Sequence, residues 1–229
     1  MSWPLCRSWI TSNTFKIVLI GEAGVGKTSI ISQFIDQTFQ EDLQASTGGT
    51  FTSKTLILNN GNTLKFDIWD TAGQERYRAL TKLFYKDSNA AILVYDITRQ
   101  DSFDELKNYW AQQIQESTNS NIILAIAANK SDLIEKEEVD EETARKFAQE
   151  INAMFYLTSA KNSMGIDDLF FEIAKKHIGR DDITIRKGEN EDEKVENVVK
   201  EDEAEDSKGP MKITAERSFS KNKEKKGCC

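Results

Sequence analysis

A chain of 229 residues carrying 38% hydrophobic and 30% charged residues is long enough for one well-buried domain with tails, and its totals are those of an ordinary globular protein. No apolar run approaches the roughly 18 residues of a membrane span, and a net charge of −8 argues against nonspecific nucleic-acid binding. The three cysteines, Cys6, Cys228 and Cys229, are too few and too far apart to staple a fold, which predicts a reducing compartment.

In chain order, residues 1–14 lack the apolar stretch of a signal peptide and read as a loose N-terminal arm, in which Cys6 receives no role. Ser2 in place of glycine excludes N-myristoylation. The stretch 15–178 reads as one folded domain, because both prolines, Pro4 and Pro210, lie outside it. Phe15 to Ile20, Ala90 to Tyr95, Ile122 to Ala128 and Met154 to Leu157 are short apolar runs without polar alternation, the pattern of strands buried on both faces. Thr52 to Leu58 and Thr63 to Trp69, joined by Asn59-Asn60-Gly61-Asn62, predict a hairpin. Phe103, Leu106, Trp110 and Ile114 mark a helix stripe, with Ser102 and Glu105 as a capping box at its start. Ile166, Leu169, Phe170 and Ile173 mark the last helix, and His177 continues that stripe as a structural residue. Strands alternating with helices predict an α/β fold: a mostly parallel sheet covered on both faces, with ligands at the carboxyl ends of its strands.

Past Gly179, charge replaces branched and aromatic residues, so 179–229 reads as a disordered tether. Its charge is segregated: ten acidic residues and two lysines from Glu189 to Asp206, then seven basic residues against two acidic ones from Ser207 to Lys226.

Gly21-Glu22-Ala23-Gly24-Val25-Gly26-Lys27-Thr28 follows a predicted strand and opens a helix, the context in which a glycine, four residues and Gly-Lys-Thr cradle phosphates. The glycines let backbone N–H groups converge, Lys27 neutralises the β and γ phosphates, and the Thr28 hydroxyl ligates Mg²⁺. Ser29, next in the chain, belongs to the same nucleotide-binding set. A ligand-free glycine turn is the bland alternative, weakened by the strand-to-helix setting.

Asn129-Lys130-Ser131-Asp132 falls at the carboxyl end of a buried run. There Asp132 is able to accept from the ring N–H and exocyclic amine of guanine, whereas adenine leaves that carboxylate without donors. Ser159-Ala160-Lys161 follows the next strand and offers the Ala160 N–H to the guanine carbonyl oxygen. Either segment alone reads equally as polar turn chemistry; their order after a phosphate loop favours guanine. Trp69-Asp70-Thr71-Ala72-Gly73-Gln74-Glu75 lets Asp70 reach Mg²⁺ through water, the Gly73 N–H sense a γ-phosphate, and Gln74 orient an attacking water. The catalytic candidates are Gln74 and Lys27, and no arginine is evident that must reach the γ-phosphate in cis.

With WDTAGQERY, YKDSNAAILVYDIT and SAKNSMGIDDLF in place, the chain resembles a Rab-family small GTPase of the Ras superfamily, nearest the endosomal Rabs. The resemblance covers Phe15 to Ile178 and implies a P-loop NTPase fold with a six-stranded sheet and five helices. It also implies GTP and GDP as bound substrate and product, Mg²⁺ as cofactor, and two switch loops. By the same resemblance Phe39 packs on guanine, and Phe51, Trp69 and Phe84 form an effector-binding aromatic triad, for which core packing is the alternative. The threonine that the family uses to ligate Mg²⁺ in the GTP form is here Ser46 or Thr47. Ala23 stands where Ras-like proteins carry glycine. Gly227-Cys228-Cys229 resembles a doubly geranylgeranylated ending, which would anchor the chain to membrane. The implied partners are a GTPase-activating protein, an exchange factor, a GDP-dissociation inhibitor and trafficking effectors, met by a monomer without nucleic acid. The implied location is the cytoplasmic face of endomembranes, endosomal in kind, in exchange with cytosol. Unaided turnover is expected on the order of 10⁻⁴ to 10⁻² s⁻¹. The rival readings are a nucleotide-stabilised effector-binding module with very weak hydrolysis and a small P-loop kinase, which the absence of an arginine-rich lid disfavours.

Overall fold

The computed structural model describes residues 14–41, 49–59, 61–71, 84–117, 121–180 and 184. All of them lie in Met1–Arg186, the first of two compact units; Lys187–Cys229 lies outside them.

Six strands form one sheet: β1 (Thr14–Ile20), β2 (Thr50–Ile57), β3 (Thr63–Asp70), β4 (Ala90–Asp96), β5 (Ile123–Asn129) and β6 (Met154–Leu157), in the order β2-β3-β1-β4-β5-β6. Only β2 runs antiparallel, paired to β3 from Thr50 opposite Asp70 to Ile57 opposite Thr63. The other contacts are parallel. The helices are α1 (Lys27–Asp36), α2, α3 (Glu141–Glu150) and α4 (Ile166–Ile178), with a 3-10 turn at Ser131–Lys136. Helix α2 runs from Gln100–Glu105 through a π-helical turn, Leu106–Trp110, into Ala111–Ser117. This is the mostly parallel sheet, covered on both faces, that the apolar runs predict, with the six strands that the resemblance implies.

The runs are continuous rather than alternating because each central strand feeds two cores. Phe15, Ile17 and Leu19 of β1 point to a layer closed by Ile30 and Phe34 of α1 and by Leu169, Phe170 and Ile173 of α4. Val18 and Ile20 point to the opposite layer, closed by Phe103, Leu106, Trp110 and Ile114 of α2 and by Phe147 of α3. Every residue of β4 and β5 is buried. Full burial of each valine, leucine or isoleucine among them contributes roughly 1.5–3 kcal/mol. His177 lies half-buried with its ring 4.2 Å from that of Phe15, and burial pushes its pKa down, which fits a packing role.

The helix ends follow ordinary capping chemistry with one correction to the sequence reading. Asp140 accepts from the Thr143 amide at 2.8 Å at the start of α3, and Gly179, at φ 70°, closes α4 by donating to the Lys175 carbonyl. Ser102 is not a cap. Helix α2 begins at Gln100, after Arg99, and Ser102 is a fully buried residue whose hydroxyl donates to the Arg99 carbonyl at 2.7 Å and accepts from the Asp96 amide at 3.1 Å. A buried hydroxyl is held by whichever backbone groups need it, and here those belong to the turn after β4.

Candidate functional site

The carboxyl ends of the five parallel strands all open on one rim, and four of them deliver residues singled out by the sequence. Gly21 to Gly26 follow β1, Asp70 ends β3, Asn129 ends β5, and Ser159 to Lys161 follow β6. The sheet order reverses at β1, which lies between β3 and β4, so the loop of glycines leaves the sheet at its topological switch point.

The loop from Gly21 to Lys27 is held by contacts that consume its carbonyls. The Lys27 ammonium donates to the Gly21 and Glu22 carbonyls, each at 2.9 Å, and is only 6% exposed. The Asn129 amide donates to the Val25 carbonyl at 2.8 Å, and the Ile30 amide donates to the Gly26 carbonyl at 2.9 Å. Gly26 adopts φ 94°, and a Cβ there would stand 2.3 Å from the Asn129 side-chain nitrogen. Burial pushes the Lys27 ammonium down to about 8, opposed by the charges of Asp70 and Glu22. An arriving polyphosphate restores the charged form. Above about pH 8, therefore, nucleotide binding is expected to take up a proton and to weaken as pH rises. Calorimetry in buffers of different ionisation enthalpy, compared above and below that pH, checks this.

Beside the loop, the Thr28 hydroxyl donates to Asp70 Oδ2 at 2.5 Å, and Asp70 is 4% exposed. The Thr71 hydroxyl donates to the Leu19 carbonyl at 2.7 Å, which fixes the end of β3 against β1. Among the described residues no three His, Cys, Asp or Glu side chains gather as a metal cluster. Thr28 and Asp70 supply two hard oxygens, a set suited to Mg²⁺, which keeps waters and takes its remaining ligands from phosphates.

Across the rim, Asp132 accepts from the Ser159 hydroxyl at 2.6 Å, joining the loop after β5 to the loop after β6. Asn129, 1% exposed, accepts from the Thr158 hydroxyl at 3.4 Å, and the Ser131 amide and hydroxyl both donate to the Thr158 carbonyl. Lys130 adopts φ 65° and pairs with Asp96 at 2.6 Å. Ala160 is 4% exposed. Lys161 bonds Glu41 at 2.9 Å, from the segment that carries the exposed Phe39. The rings of Phe51, Trp69 and Phe84 form a contiguous row, with centroids 5.2 and 5.5 Å apart, and Phe51 is 49% exposed. Gly49 makes room for the Phe84 ring: a Cβ there would meet its Cζ at 2.3 Å. Ser46, Thr47, Gly73, Gln74, Cys228 and Cys229 lie outside the described residues.

Sequence reasoning missed several residues that brace the loop. The Trp110 indole, carried inward by the π-helical turn of α2, donates to the Glu22 carboxylate at 3.3 Å. Arg99, after β4, donates to the Ala23 carbonyl at 3.1 Å. Asp96 and Thr158 position Lys130 and Asn129. These partners lie 29 to 88 residues from what they hold, and no local signal in the sequence announces them.

The sequence that carries the glycine loop and the loops after β5 and β6 matches a known family. Residues 16–179 match the Ras family. The chain belongs to the Ras family. It is a small GTPase, an enzyme that hydrolyses GTP, and among Ras-family members its likeness is to Rab proteins. Ras-related protein Rab-22A from Homo sapiens is 45% identical over 161 residues, which cover 70% of this chain and 82% of that protein. RABF2a from Arabidopsis thaliana is 44% identical and RHN1 from Nicotiana plumbaginifolia 45% identical, each over 161 residues, 70% of this chain and 80% of the relative. The Ras-family span opens in β1 and closes at Gly179, the residue that caps α4.

Proposed function

We propose that this GTPase is a membrane-anchored switch of vesicle trafficking, endocytic in setting, that alternates between GTP-bound and GDP-bound states. The observation that supports this reading most is the bond from Asn129 to the Val25 carbonyl at 2.8 Å, since one side chain ties the base-reading loop to the phosphate loop. The ligand that spans both loops is, on this reading, a nucleotide. In this reading Gly21 to Ser29 cradle the phosphates, Lys27 neutralises them, Asp132 and the Ala160 N–H read guanine, Asn129, Lys130, Ser159 and Lys161 frame the base, and Phe39 packs on it. Thr28, Asp70 and Ser46 or Thr47 would hold Mg²⁺, which would supply charge neutralisation to the phosphates. Gln74 orients the attacking water, and the Gly73 N–H senses the γ-phosphate.

The domain is residues 15–178, between an N-terminal arm and a tail that carries prenyl groups on Cys228 and Cys229. Two prenyl chains exceed the marginal hold of one acyl chain, at about 0.8 kcal/mol per buried methylene, and the adjacent lysines favour an anionic leaflet. Among the described residues no helix is long and apolar enough to cross a membrane. The Phe51, Trp69 and Phe84 row meets effectors, and an exchange factor, an activating protein and a GDP-dissociation inhibitor govern the cycle at endosomal membranes.

Gln74→Leu is expected to lose most activator-stimulated hydrolysis while GDP and GTP affinities hold. Unchanged single-turnover hydrolysis in that variant rules out the assigned role. Replacing Cys228 and Cys229 together with serine should move the tagged protein from the membrane fraction to the supernatant; retention on membranes rules out the anchor.

A further inference from the structure

The carbonyl oxygens of Gly21, Glu22, Ala23, Val25 and Gly26 are engaged by donors, and three of these donors are side chains: Lys27 at Gly21 and Glu22, Arg99 at Ala23, and Asn129 at Val25. In a planar trans peptide the C=O and the following N–H point in opposite directions. A donor that draws a carbonyl to the outside of the loop therefore aims the next N–H to the inside. Asn129 does this for the Val25–Gly26 peptide. Arg99 does it for the Ala23–Gly24 peptide.

The guanidinium of Arg99 is not left to wander. Its Nε and Nη2 grip the two carboxylate oxygens of Asp101 at 3.2 and 2.7 Å, a bidentate fork that leaves Nη1 facing the Ala23 carbonyl at 3.1 Å. The same Nη1 lies 3.7 Å from the position a Cβ would take on Gly24. That distance is an ordinary contact, so it is the φ of 78° and not crowding by the guanidinium that favours glycine at position 24. Arg99 itself is the residue before α2, held by its amide on the Asp96 carbonyl at 3.0 Å, so its backbone is anchored to the end of β4.

We propose that Arg99 is a positioning residue for phosphate binding: with its guanidinium set by Asp101, it holds the Ala23 carbonyl outward so that the Gly24 N–H points into the phosphate cradle, and it places a positive charge beside the bound polyphosphate. The inference rests on the nucleotide reading above and deepens it by naming a residue that the phosphate-loop motif does not contain. Arg99 touches the loop and not the reacting atoms, so its effect is on how well the cradle is formed.

The test uses the full chain loaded with a fluorescent GDP and follows release against excess unlabelled GDP in Mg²⁺. A charge-assisted hydrogen bond of this kind predicts roughly tenfold faster release from Arg99→Met. Arg99→Lys retains a donor and a charge but not the fork, and falls between Met and the parent. Asp101→Asn, which loosens the fork, also speeds release. In the GDP-bound Arg99→Met protein the Gly24 amide resonance moves upfield, a signature that a loss of fold stability alone does not produce. Release from Arg99→Met within a factor of two of the parent, Arg99→Lys no slower than Arg99→Met, or an unmoved Gly24 amide overturns the inference while leaving the nucleotide reading standing. A parent chain that fails to retain the GDP overturns both.

Discussion

Gly26→Ala is expected to abolish tight nucleotide binding. The position needs φ 94°, and the new Cβ would lie 2.3 Å from the Asn129 side-chain nitrogen. Asn129 cannot simply swing aside, because it is 1% exposed and its amide is the donor to the Val25 carbonyl. Backbone strain and overpacking together cost about 3 kcal/mol or more, roughly a hundredfold in affinity. The damage falls on both loops at once, since the displaced side chain is the one that joins them. Gly61→Ala is the control. It also has a positive φ, 81°, but nothing lies within 4 Å of its Cβ position, in the hairpin turn between β2 and β3. It should cost about 1 kcal/mol of stability and leave GDP titrations unchanged. Equal GDP affinity for Gly26→Ala and the parent would contradict the assigned coupling of the two loops.

Asp132→Asn is expected to exchange guanine for xanthine. The Asp132 carboxylate uses one oxygen to accept from the Ser159 hydroxyl at 2.6 Å, which leaves the other to face a base with two donors. An asparagine keeps the acceptor for Ser159 and turns an N–H₂ toward the base. Against guanine, donor meets donor. Against xanthine, whose ring carries a carbonyl at that edge, a hydrogen bond forms. The loss for guanine is on the order of a thousandfold, the size expected when a buried polar group is left without its partner. Parallel titrations with fluorescent GDP and XDP read the exchange directly, and a variant that still prefers GDP removes Asp132 from its assigned place.

The parts of the site legible in the sequence were those whose chemistry is local. A loop from Gly21 to Thr28 specifies a strand, a turn of positive φ and a helix within a dozen residues, so spacing alone announces it. Asn129 to Asp132 and Ser159 to Lys161 were legible because each immediately follows a fully apolar run, which places it at a strand's carboxyl end. The sheet itself was legible because β1, β4 and β5 are apolar on both faces and only a covered parallel sheet accommodates that.

What escaped was set by packing between distant segments. Nothing near Arg99 says that its guanidinium will find the Ala23 carbonyl, 76 positions away. Trp110 fits the helix stripe whether or not its indole bonds Glu22, and only the π-helical turn brings that nitrogen to the carboxylate. Ser102 followed by Glu105 satisfies the capping pattern, yet burial against the end of β4 gave its hydroxyl different partners. The steric reason for glycine at position 49, a Cβ that would meet the Phe84 ring, lies in a residue 35 positions away.

If one rim of the sheet binds a nucleotide by its phosphates and selects it by its base, nucleotides that differ only in the base must compete unequally for it. The most direct measurement is a competition titration of the purified chain, in Mg²⁺, with GDP against ADP. Guanine is expected to win by about a thousandfold or more, because adenine leaves the Asp132 carboxylate without donors. Equal displacement by the two nucleotides would contradict the claim.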